Sequence, residues 1–363
     1  MKRKRMIVLP LAAAATTGLL LLGAGGASAE GRTLNVKTGG GSNGNWVNLY
    51  LPGDITIATG DTLSFRVESG EPHSITFILG APPEGGALPV TESPASIPDD
   101  GPVVNSDLIF GGNPANPPAF DVTFTEAGSY DFFCFIHPFM TGTVRVLDPD
   151  DAGAAGIDNQ ASLDARGAAA ELSASIEGQA NDAAIRARIP AVVPKPGGLR
   201  EHSVILGGET RNTQQNIMYP EKLTIRPGDS VRFINETVVP HSATFGALPP
   251  GDPFAAPATT NRDPANGLVH TGLFFASGEP PTLKPVSEVV TFSKAGTYDY
   301  ACALHPEMVG QIVVSSSAPL PPNTGSGAIQ PGTGGTAGLY VVLGAIALAA
   351  LATSGAFLAA RRS

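Results

Sequence analysis

Two stretches of seven residues decide how this chain is interpreted: Cys134-Phe135-Ile136-His137-Pro138-Phe139-Met140 and Cys302-Ala303-Leu304-His305-Pro306-Glu307-Met308. Both have the spacing Cys-x-x-His-x-x-Met, and both follow an isolated Pro-His-Ser at the same distance along the chain. One constant difference in residue number, the repeat offset, separates the members of four pairs: His73 and His241, Cys134 and Cys302, His137 and His305, Met140 and Met308. This shared offset indicates that the chain contains one set of four side chains twice.

The repeated side chains are typical copper ligands. In electron-transfer copper sites, a thiolate and two imidazoles hold the metal in a trigonal arrangement, and a thioether is a weak axial ligand. The sequence therefore predicts two copper ions per chain, with Cys134 and Cys302 as the thiolate ligands. The predicted imidazole and axial ligands are His73, His137, His241, His305, Met140 and Met308.

The two cysteines have an alternative interpretation, because two cysteines in a secreted protein commonly form a disulfide. A disulfide, however, requires neither a histidine three positions later nor a methionine six positions later. It also does not require its two halves to occupy equivalent positions of a repeat. We therefore interpret Cys134 and Cys302 as metal ligands.

The ends of the chain predict export and membrane attachment. Residues 2–5 are four cations before an apolar run, and Ala27-Ser28-Ala29 is a small-residue cleavage site, so residues 1–29 form a predicted signal peptide. Residues 338–360 form a segment without charged side chains that is long enough to cross a bilayer as a helix, and Arg361-Arg362 follows. The positive-inside rule places these arginines in the cytoplasm. We expect a single-pass protein of the cell membrane with its copper domains outside the cytoplasm.

The charge of the chain restricts its partners. The formal net charge is −10, and six of the cations lie in the predicted signal peptide and after the predicted anchor. The remaining surface is acidic, which excludes nucleic acid as a partner and favours basic redox proteins, such as a cytochrome.

Composition divides the region between the ends into blocks. Residues 30–150 and 196–316 contain runs of Val, Ile, Thr and Phe between Gly, Pro and Asp, which predicts short strands in two β-sandwiches. The pairs Gly60-Asp61 and Gly228-Asp229 predict hairpin turns at equivalent places. Residues 317–337 are rich in Pro, Gly, Ser and Thr, which predicts a flexible stalk.

Residues 151–195 form the predicted linker between the two blocks. The spacing of Leu172, Ile176 and Ala180 predicts a short amphipathic helix that ends before Pro190. Gly167 and Gly178 disfavour a helix, so a partly ordered linker stays open as an alternative.

A further alternative concerns attachment to the cell surface. Residues 320–325, Leu-Pro-Pro-Asn-Thr-Gly, resemble a sortase sorting signal, so cell-wall attachment also stays open.

Each block resembles a cupredoxin of the plastocyanin, azurin and amicyanin group. The second block is most similar, in the segment 235–241, Asn-Glu-Thr-Val-Val-Pro-His, and in the short ligand loop 302–308. The resemblance implies an all-β fold: two Greek-key cupredoxin sandwiches in tandem, a partly helical linker and a C-terminal transmembrane helix. It also implies single-electron transfer, with electrons entering and leaving through the solvent-facing edges of His137 and His305.

The first block departs from this pattern at one position. Val67 is equivalent to Asn235, so the polar side chain that ties the ligand strands together in cupredoxins is absent from the first block. Because hydrogen bonding around the thiolate tunes the reduction potential, we expect the two sites to differ in potential.

Three other function classes compete with that of an electron carrier. A multicopper enzyme needs additional histidines, but the chain has no His-x-His and only His202 and His270 are spare, so we expect no enzymatic activity. A copper-trafficking protein would favour exposed sites rich in methionine or histidine. An interaction scaffold with one or no active copper site is the third alternative, and two complete ligand sets argue against it.

Overall fold

Two strand-rich halves, separated in sequence by one long helix, make up the part of the chain that the computed structural model describes. The described residues are 31–81, 88–99, 101–111, 116–148, 156–189, 192–251, 255–277 and 284–317. The predicted signal peptide and the apolar segment 338–360 lie outside these ranges. Within them, no helix is both long enough and apolar enough to cross a membrane.

The secondary structure follows the duplication of the sequence. The strands of the first half are β1 (Thr33–Ser42), β2 (Asn45–Leu51), β3 (Asp54–Ala58), β4 (Thr62–Val67), β5 (Thr76–Ile78), β6 (Ala95–Ile97), β7 (Val103–Asn105), β8 (Ala119–Phe124), β9 (Gly128–Cys134) and β10 (His137–Leu147). Helix α1 spans Gln160–Ala187. The strands of the second half are β11 (Val193–Pro194), β12 (Arg200–Glu209), β13 (Thr213–Tyr219), β14 (Lys222–Ile225), β15 (Ser230–Asn235), β16 (Thr244–Phe245), β17 (Val269–His270), β18 (Val286–Thr291), β19 (Gly296–Ala301) and β20 (Val309–Val314). Short 3-10 turns lie at Pro196–Gly198 and Pro264–Asn266.

Each half packs its own hydrophobic core between two sheets. In the first half one sheet contains β2, β1, β4, β8 and β6, and the other has the order β3-β10-β9-β5-β7. Alternating exposure along β8 directs Phe120, Val122 and Phe124 into the core, as expected for a sheet with one buried face. The second half repeats this plan, with β14-β20-β19-β16-β17 as its second sheet. The prediction of a mostly β chain with two sandwich-like halves is confirmed.

The first sheets of the two halves join into one continuous sheet. Its order is β18-β15-β12-β13-β2-β1-β4-β8-β6, and β13 pairs with β2 in antiparallel orientation. Thr213 pairs with Val47 and Gln215 with Asn45, and by the repeat offset Thr213 is equivalent to Asn45 and Gln215 to Val47. The two halves are therefore related by an approximate twofold axis through this pair of strands. Each of the two strands covers an edge that an isolated sandwich would expose.

The two Gly-Asp pairs do not form hairpins, contrary to the prediction. Strand β3 pairs with β10, whereas β4 pairs with β1 and β8, so the turn between β3 and β4 passes from one sheet to the other. Gly60 has a φ of 92° and Gly228 a φ of 90°, which explains the glycines. Strands that leave a turn for different sheets cannot form hydrogen bonds with each other. Around this turn the Asp61 carboxylate instead accepts hydrogen bonds from the backbone N–H groups of Arg32 and Ala58.

The segment between the halves contains helix α1, which packs on the shared sheet. Asn159 caps its N-terminus by accepting a hydrogen bond from the backbone N–H of Ser162. At about 1.5 Å per residue, its 28 residues extend roughly 42 Å. The helix contacts β1 and β2 of the first half and β12 and β13 of the second. It is a structural element of both halves.

The face of α1 that packs on the sheet differs from the predicted one. Leu172 and Ile176 are 63% and 60% exposed. The buried positions have helical spacing and include both glycines: Leu163, Gly167, Ala174, Gly178 and Ile185. A Cβ atom on Gly167 would lie 2.6 Å from the Leu51 carbonyl oxygen. The two glycines, which disfavour a helix by propensity, are the residues that let this helix approach the sheet closely.

We expect Gly167→Ala to destabilise the protein. Alanine gains about 1 kcal/mol of helix propensity over glycine. Contact with the Leu51 backbone costs about 1–3 kcal/mol for an overpacked site, so the net loss is about 1 kcal/mol. Urea unfolding should show a lower midpoint. The control is Ser173→Ala on the exposed face of the same helix, which should leave the midpoint unchanged or raise it; a Gly167→Ala midpoint equal to that of the control would refute the close approach.

Candidate metal centres

The first predicted ligand set comes together at one end of the first sandwich. His73 lies beyond β4, where its backbone pairs with Ile109, and Cys134 and His137 stand at the facing ends of β9 and β10. The Nδ1 atom of His137 is 3.4 Å from the Cys134 Sγ atom and 3.2 Å from the His73 Nδ1 atom. All three side chains are buried, and their ligand atoms lie within 4.8 Å of one another.

The second set has the same arrangement. The His241 backbone pairs with Phe274, and Cys302 and His305 lie on the loop between β19 and β20. The Cys302 Sγ atom is 3.4 Å from the Nδ1 atom of His305 and 3.9 Å from that of His241. In both sites the two imidazole centroids are 4.9 Å apart. Of the residues that the structure describes, only these two groups combine three side chains suited to a metal ion.

The protonation of the histidines suits metal binding. Burial lowers the pKa of His137 and of His305 to about 4. Burial also lowers the pKa of His73 and of His241 well below the ordinary value. Four neutral imidazoles, grouped two by two around a cysteine sulfur, are the form that coordinates a metal. The residues therefore fit two copper ions, with His73, Cys134 and His137 holding one and His241, Cys302 and His305 the other.

The two cysteines are unpaired and belong to different hydrophobic cores. Burial raises the pKa of each thiol, and backbone N–H groups oppose this effect. At Cys134 the sulfur accepts a bond of 3.3 Å from the backbone N–H of Ser74. The Ser74 hydroxyl in turn accepts from the backbone N–H of Phe135, and Ser242 accepts in the same way from Ala303. This serine, next to the first histidine in each half, ties the two ligand segments together.

The two predicted axial residues are fully buried. Met140 lies in the core cluster that contains Cys134, and Met308 lies in the one that contains Cys302. The backbone of Met308 closes the second ligand loop, since its N–H donates to the His305 carbonyl and its carbonyl accepts from the Cys302 N–H. Each methionine therefore lies in the same hydrophobic core as the cysteine of its site. The role of the two methionines as axial ligands remains our prediction.

Two glycines that sequence reasoning missed pack against the first histidine of each site. The pairing of β1 with β2 is irregular at Gly39, and that of β12 with β13 at Gly207, with φ angles of 70° and 72°. A Cβ atom at either position would collide with the Nε2 side of His73 or His241. Both Nε2 atoms are buried without a hydrogen-bond partner. The signal was present in the sequence, because the repeat offset also separates the two glycines.

Asn235 supports the second site through a hydrogen-bond network. Its Nδ2 atom donates to the carbonyls of Val239 and Phe274, and its Oδ1 atom accepts from the backbone N–H of Thr237. The network holds the segment before His241 against Phe274, the residue with which the backbone of that histidine pairs. At the equivalent place in the first half, Val67 is a buried apolar residue. The two sites therefore differ in the polar support of their ligand strands.

His137 and His305 are largely buried, contrary to the expectation of solvent-facing histidine edges. The two residues are only 7% and 8% exposed. The pairing of β2 with β13 turns the ligand loop of each half towards the other half. The Arg211 guanidinium lies 5.4 Å above the ring of Phe139, and the Trp46 indole donates to Glu307, each contact joining one half to the loop of the other.

The polar residues that meet these two histidines were not predicted from the sequence. The Gln214 side chain lines the same small pocket as His137, and the Glu71 Oε2 atom is 3.8 Å from the His305 Nε2 atom. Burial, together with repulsion from Glu307, raises the pKa of Glu71 to about 7. No repeat signal marks these contacts, because the positions equivalent to Glu71 and Gln214 carry a valine and a tryptophan.

The two spare histidines are buried strand residues. His202 on β12 bonds to the Asp229 carboxylate at 3.2 Å, and His270 on β17 bonds to the Thr244 hydroxyl at 2.8 Å. Within the described ranges, neither histidine is part of a cluster suited to a metal ion.

Comparison with known proteins defines the class. The chain matches the family model for copper binding proteins of the plastocyanin/azurin family over residues 35–147 and 208–315, more than half of its length. The protein belongs to this family, whose members are copper-binding electron carriers, and it contains the domain twice.

Individual relatives match one part of the chain. Amicyanin of Paracoccus versutus is 32% identical over 97 residues, which cover 27% of this chain and 57% of the relative. Plastocyanin of Nostoc punctiforme is 35% identical over 97 residues, which cover 26% of this chain and 62% of the relative. The chain thus spans less than two thirds of the length of either relative. A solved Cu(I) structure of an amicyanin variant is 23% identical, covers 32% of this chain and 82% of its own, and has a TM-score of 0.22.

We expect Gly207→Ala to weaken copper binding at the second site alone. The added methyl group displaces His241, and a disturbed ligand position costs about 10–100-fold in metal affinity. Copper competition with a chelator, followed by metal analysis, should show one weakly bound ion and one unchanged. Gly267→Ala is the control, because this glycine also has a positive φ, of 115°, but an added Cβ meets nothing within 4 Å. Equal affinities in the two variants would contradict the contact.

Proposed function

We propose that this protein is a membrane-anchored, extracytoplasmic blue-copper protein that carries single electrons through two type 1 copper sites. The observation that carries the proposal is the pair of buried clusters, each with one cysteine sulfur and two imidazoles whose ligand atoms lie within 4.8 Å. Membership of the plastocyanin/azurin family supports the same function.

The residues of each site favour electron transfer over the transformation of a substrate. Copper, when bound, exchanges one electron between Cu(I) and Cu(II), and a trigonal site of two imidazoles and a thiolate suits both states. Burial of His73 and His241 leaves no place for a substrate at these ligands. Pro138 and Pro306, directly after the loop histidines, restrict the backbone, so little has to move when the charge of the site changes.

The location and the partners are proposed from the sequence. The signal peptide 1–29 and the apolar segment 338–360 support an exported protein with a C-terminal membrane anchor. The net charge of −10 supports a basic redox partner, such as a cytochrome. Association with that partner should slow as salt screens the charges.

Copper content and the visible spectrum of the full chain in detergent test the proposed function. We expect two coppers per chain and an intense thiolate-to-copper absorption band, with one copper and about half of the band lost in Cys134→Ser and again in Cys302→Ser. Copper that is bound without this band, and that exchanges readily with a chelator, would support a trafficking protein instead. A protein without specific copper would support an interaction scaffold.

We expect the two sites to differ in reduction potential, the second being lower. Above pH 7, where Glu71 is ionised, the carboxylates of Glu71 and Glu307 act on His305, whereas His137 lies beside Gln214, which carries no charge. Negative charge near a copper ligand favours Cu(II). Spectroelectrochemistry of the Cys134→Ser and Cys302→Ser proteins should give potentials separated by about 60 mV or more, a tenfold preference for a one-electron couple. A single shared potential would refute this asymmetry.

A further inference from the structure

Each of the two loop histidines lies against side chains of the other half. In each site the Nδ1 atom of this histidine is directed at the cysteine sulfur, at 3.4 Å, so the opposite edge of the ring points away from the metal position. The Nε2 atom on that edge of His305 is 3.8 Å from Glu71 of the first half, and His137 lies in one small pocket with Gln214 of the second half.

A chain of buried polar side chains joins the two histidines. Gln214, next to His137, donates from Nε2 to the Asn216 Oδ1 atom at 2.8 Å. Asn216 donates from Nδ2 to Glu71, whose other carboxylate oxygen lies 3.8 Å from the His305 Nε2 atom. The three connecting residues are between 1% and 4% exposed, so the chain is shielded from bulk solvent. Buried polar groups on an interface are costly unless each is paired, and these are paired with one another.

We propose that this chain is an electron route, so that the two copper sites exchange electrons directly within one molecule through Gln214, Asn216 and Glu71. The proposal rests on the proposed function, because it requires both sites to hold redox-active copper. Electrons tunnel faster through continuous bonded and hydrogen-bonded atoms than through gaps, and the structure provides a nearly continuous path between two buried ligands. Because His137 and His305 are largely buried, the imidazole edges that point away from the metal positions contact the other half of the molecule and are shielded from external partners.

The charges around the route give it a direction. Acidic side chains surround His305, and the Arg211 guanidinium lies over Phe139, the second residue after His137. One electron therefore passes from the second site to the first. The second site is oxidised by one electron and the first is reduced by one electron, with no bond formed or broken and no proton transferred.

Pulse radiolysis of the full-length protein, loaded with copper at both sites, tests the exchange. A substoichiometric pulse of a radical reductant should be followed by a first-order redistribution between the sites, at a rate independent of protein concentration. An equimolar mixture of Cys134→Ser and Cys302→Ser, each with one working site, should show only exchange proportional to concentration. Two reversibly reducible sites without the concentration-independent phase would overturn the proposal and leave the proposed function standing, whereas absent or redox-inactive copper would refute both.

Variants of the connecting residues test the route. Asn216→Leu breaks the chain without touching either histidine, and we expect internal exchange to slow about tenfold, as for other residues that act through a metal ligand. The matched control is Gln215→Leu, since Gln215 is equally buried on the same strand but bonds to Asn181 of α1 on the opposite face. We expect its exchange rate to be unchanged. An unchanged rate in folded, doubly loaded Asn216→Leu would overturn the route.

Two spectroscopic measurements test the same proposal without a rate. In the oxidised protein, facing sites should broaden each other's electron paramagnetic resonance signals, and the broadening should disappear in Cys134→Ser. Glu71→Gln retains the shape of the connecting side chain and removes its charge, so it should raise the potential of the second site and leave that of the first unchanged. If Asn216→Leu fails to fold, Glu71→Gln and the parent protein still test the proposal. It would be refuted if Glu71→Gln left both reduction potentials unchanged and the parent protein showed no mutual broadening.

Discussion

The antiparallel pairing of β2 with β13 is the constraint on which the rest of the structure depends. An isolated sandwich would leave each of these strands at an exposed sheet edge with unpaired backbone groups, and joining them satisfies both edges at once. Because the pairing is antiparallel and the strands are equivalent, it relates the halves by an approximate twofold axis. That axis turns each ligand loop towards the other half, and the burial of His137 and His305 follows from it.

Helix α1 adds a second connection between the halves. Leu163 near its start joins the core of the first half, and Ile185 near its end packs with Ile205 and Tyr219 of the second. Between them, Gly167 and Gly178 let the helix approach the sheet so closely that a side chain would meet the Leu51 backbone or the Thr213 side chain. A helix that contacts both halves resists their separation, since parting them would expose its small-residue face and the shared strands together.

Duplication has preserved the ligands of the two sites and changed their surroundings. Both sites have the same Nδ1-to-sulfur geometry at the loop histidine, the same serine bond to the ligand loop and the same glycine against the first histidine. Around this common frame, Asn235 has no polar counterpart at Val67, and Glu71 has no acidic counterpart in the second half. The ligands determine which metal can bind and which chemistry it supplies. Because groups around a metal ligand tune the energy of its site, we expect these different surroundings to make the two sites unequal.

Sequence pattern was sufficient to predict the fold class and the two clusters of one cysteine and two histidines. Strand spacing and the constant offset between the two ligand sets depend only on local pattern and on the register of a repeat, and both can be read along the chain. The helix was only partly predictable, because Leu172 and Ile176 suggested its buried face while its glycines make the actual contact. The pairing of the halves was decided by tertiary structure alone. It brings Gln214 beside His137 and Glu71 beside His305 across the duplication, and no spacing in the sequence shows which edge strands will meet.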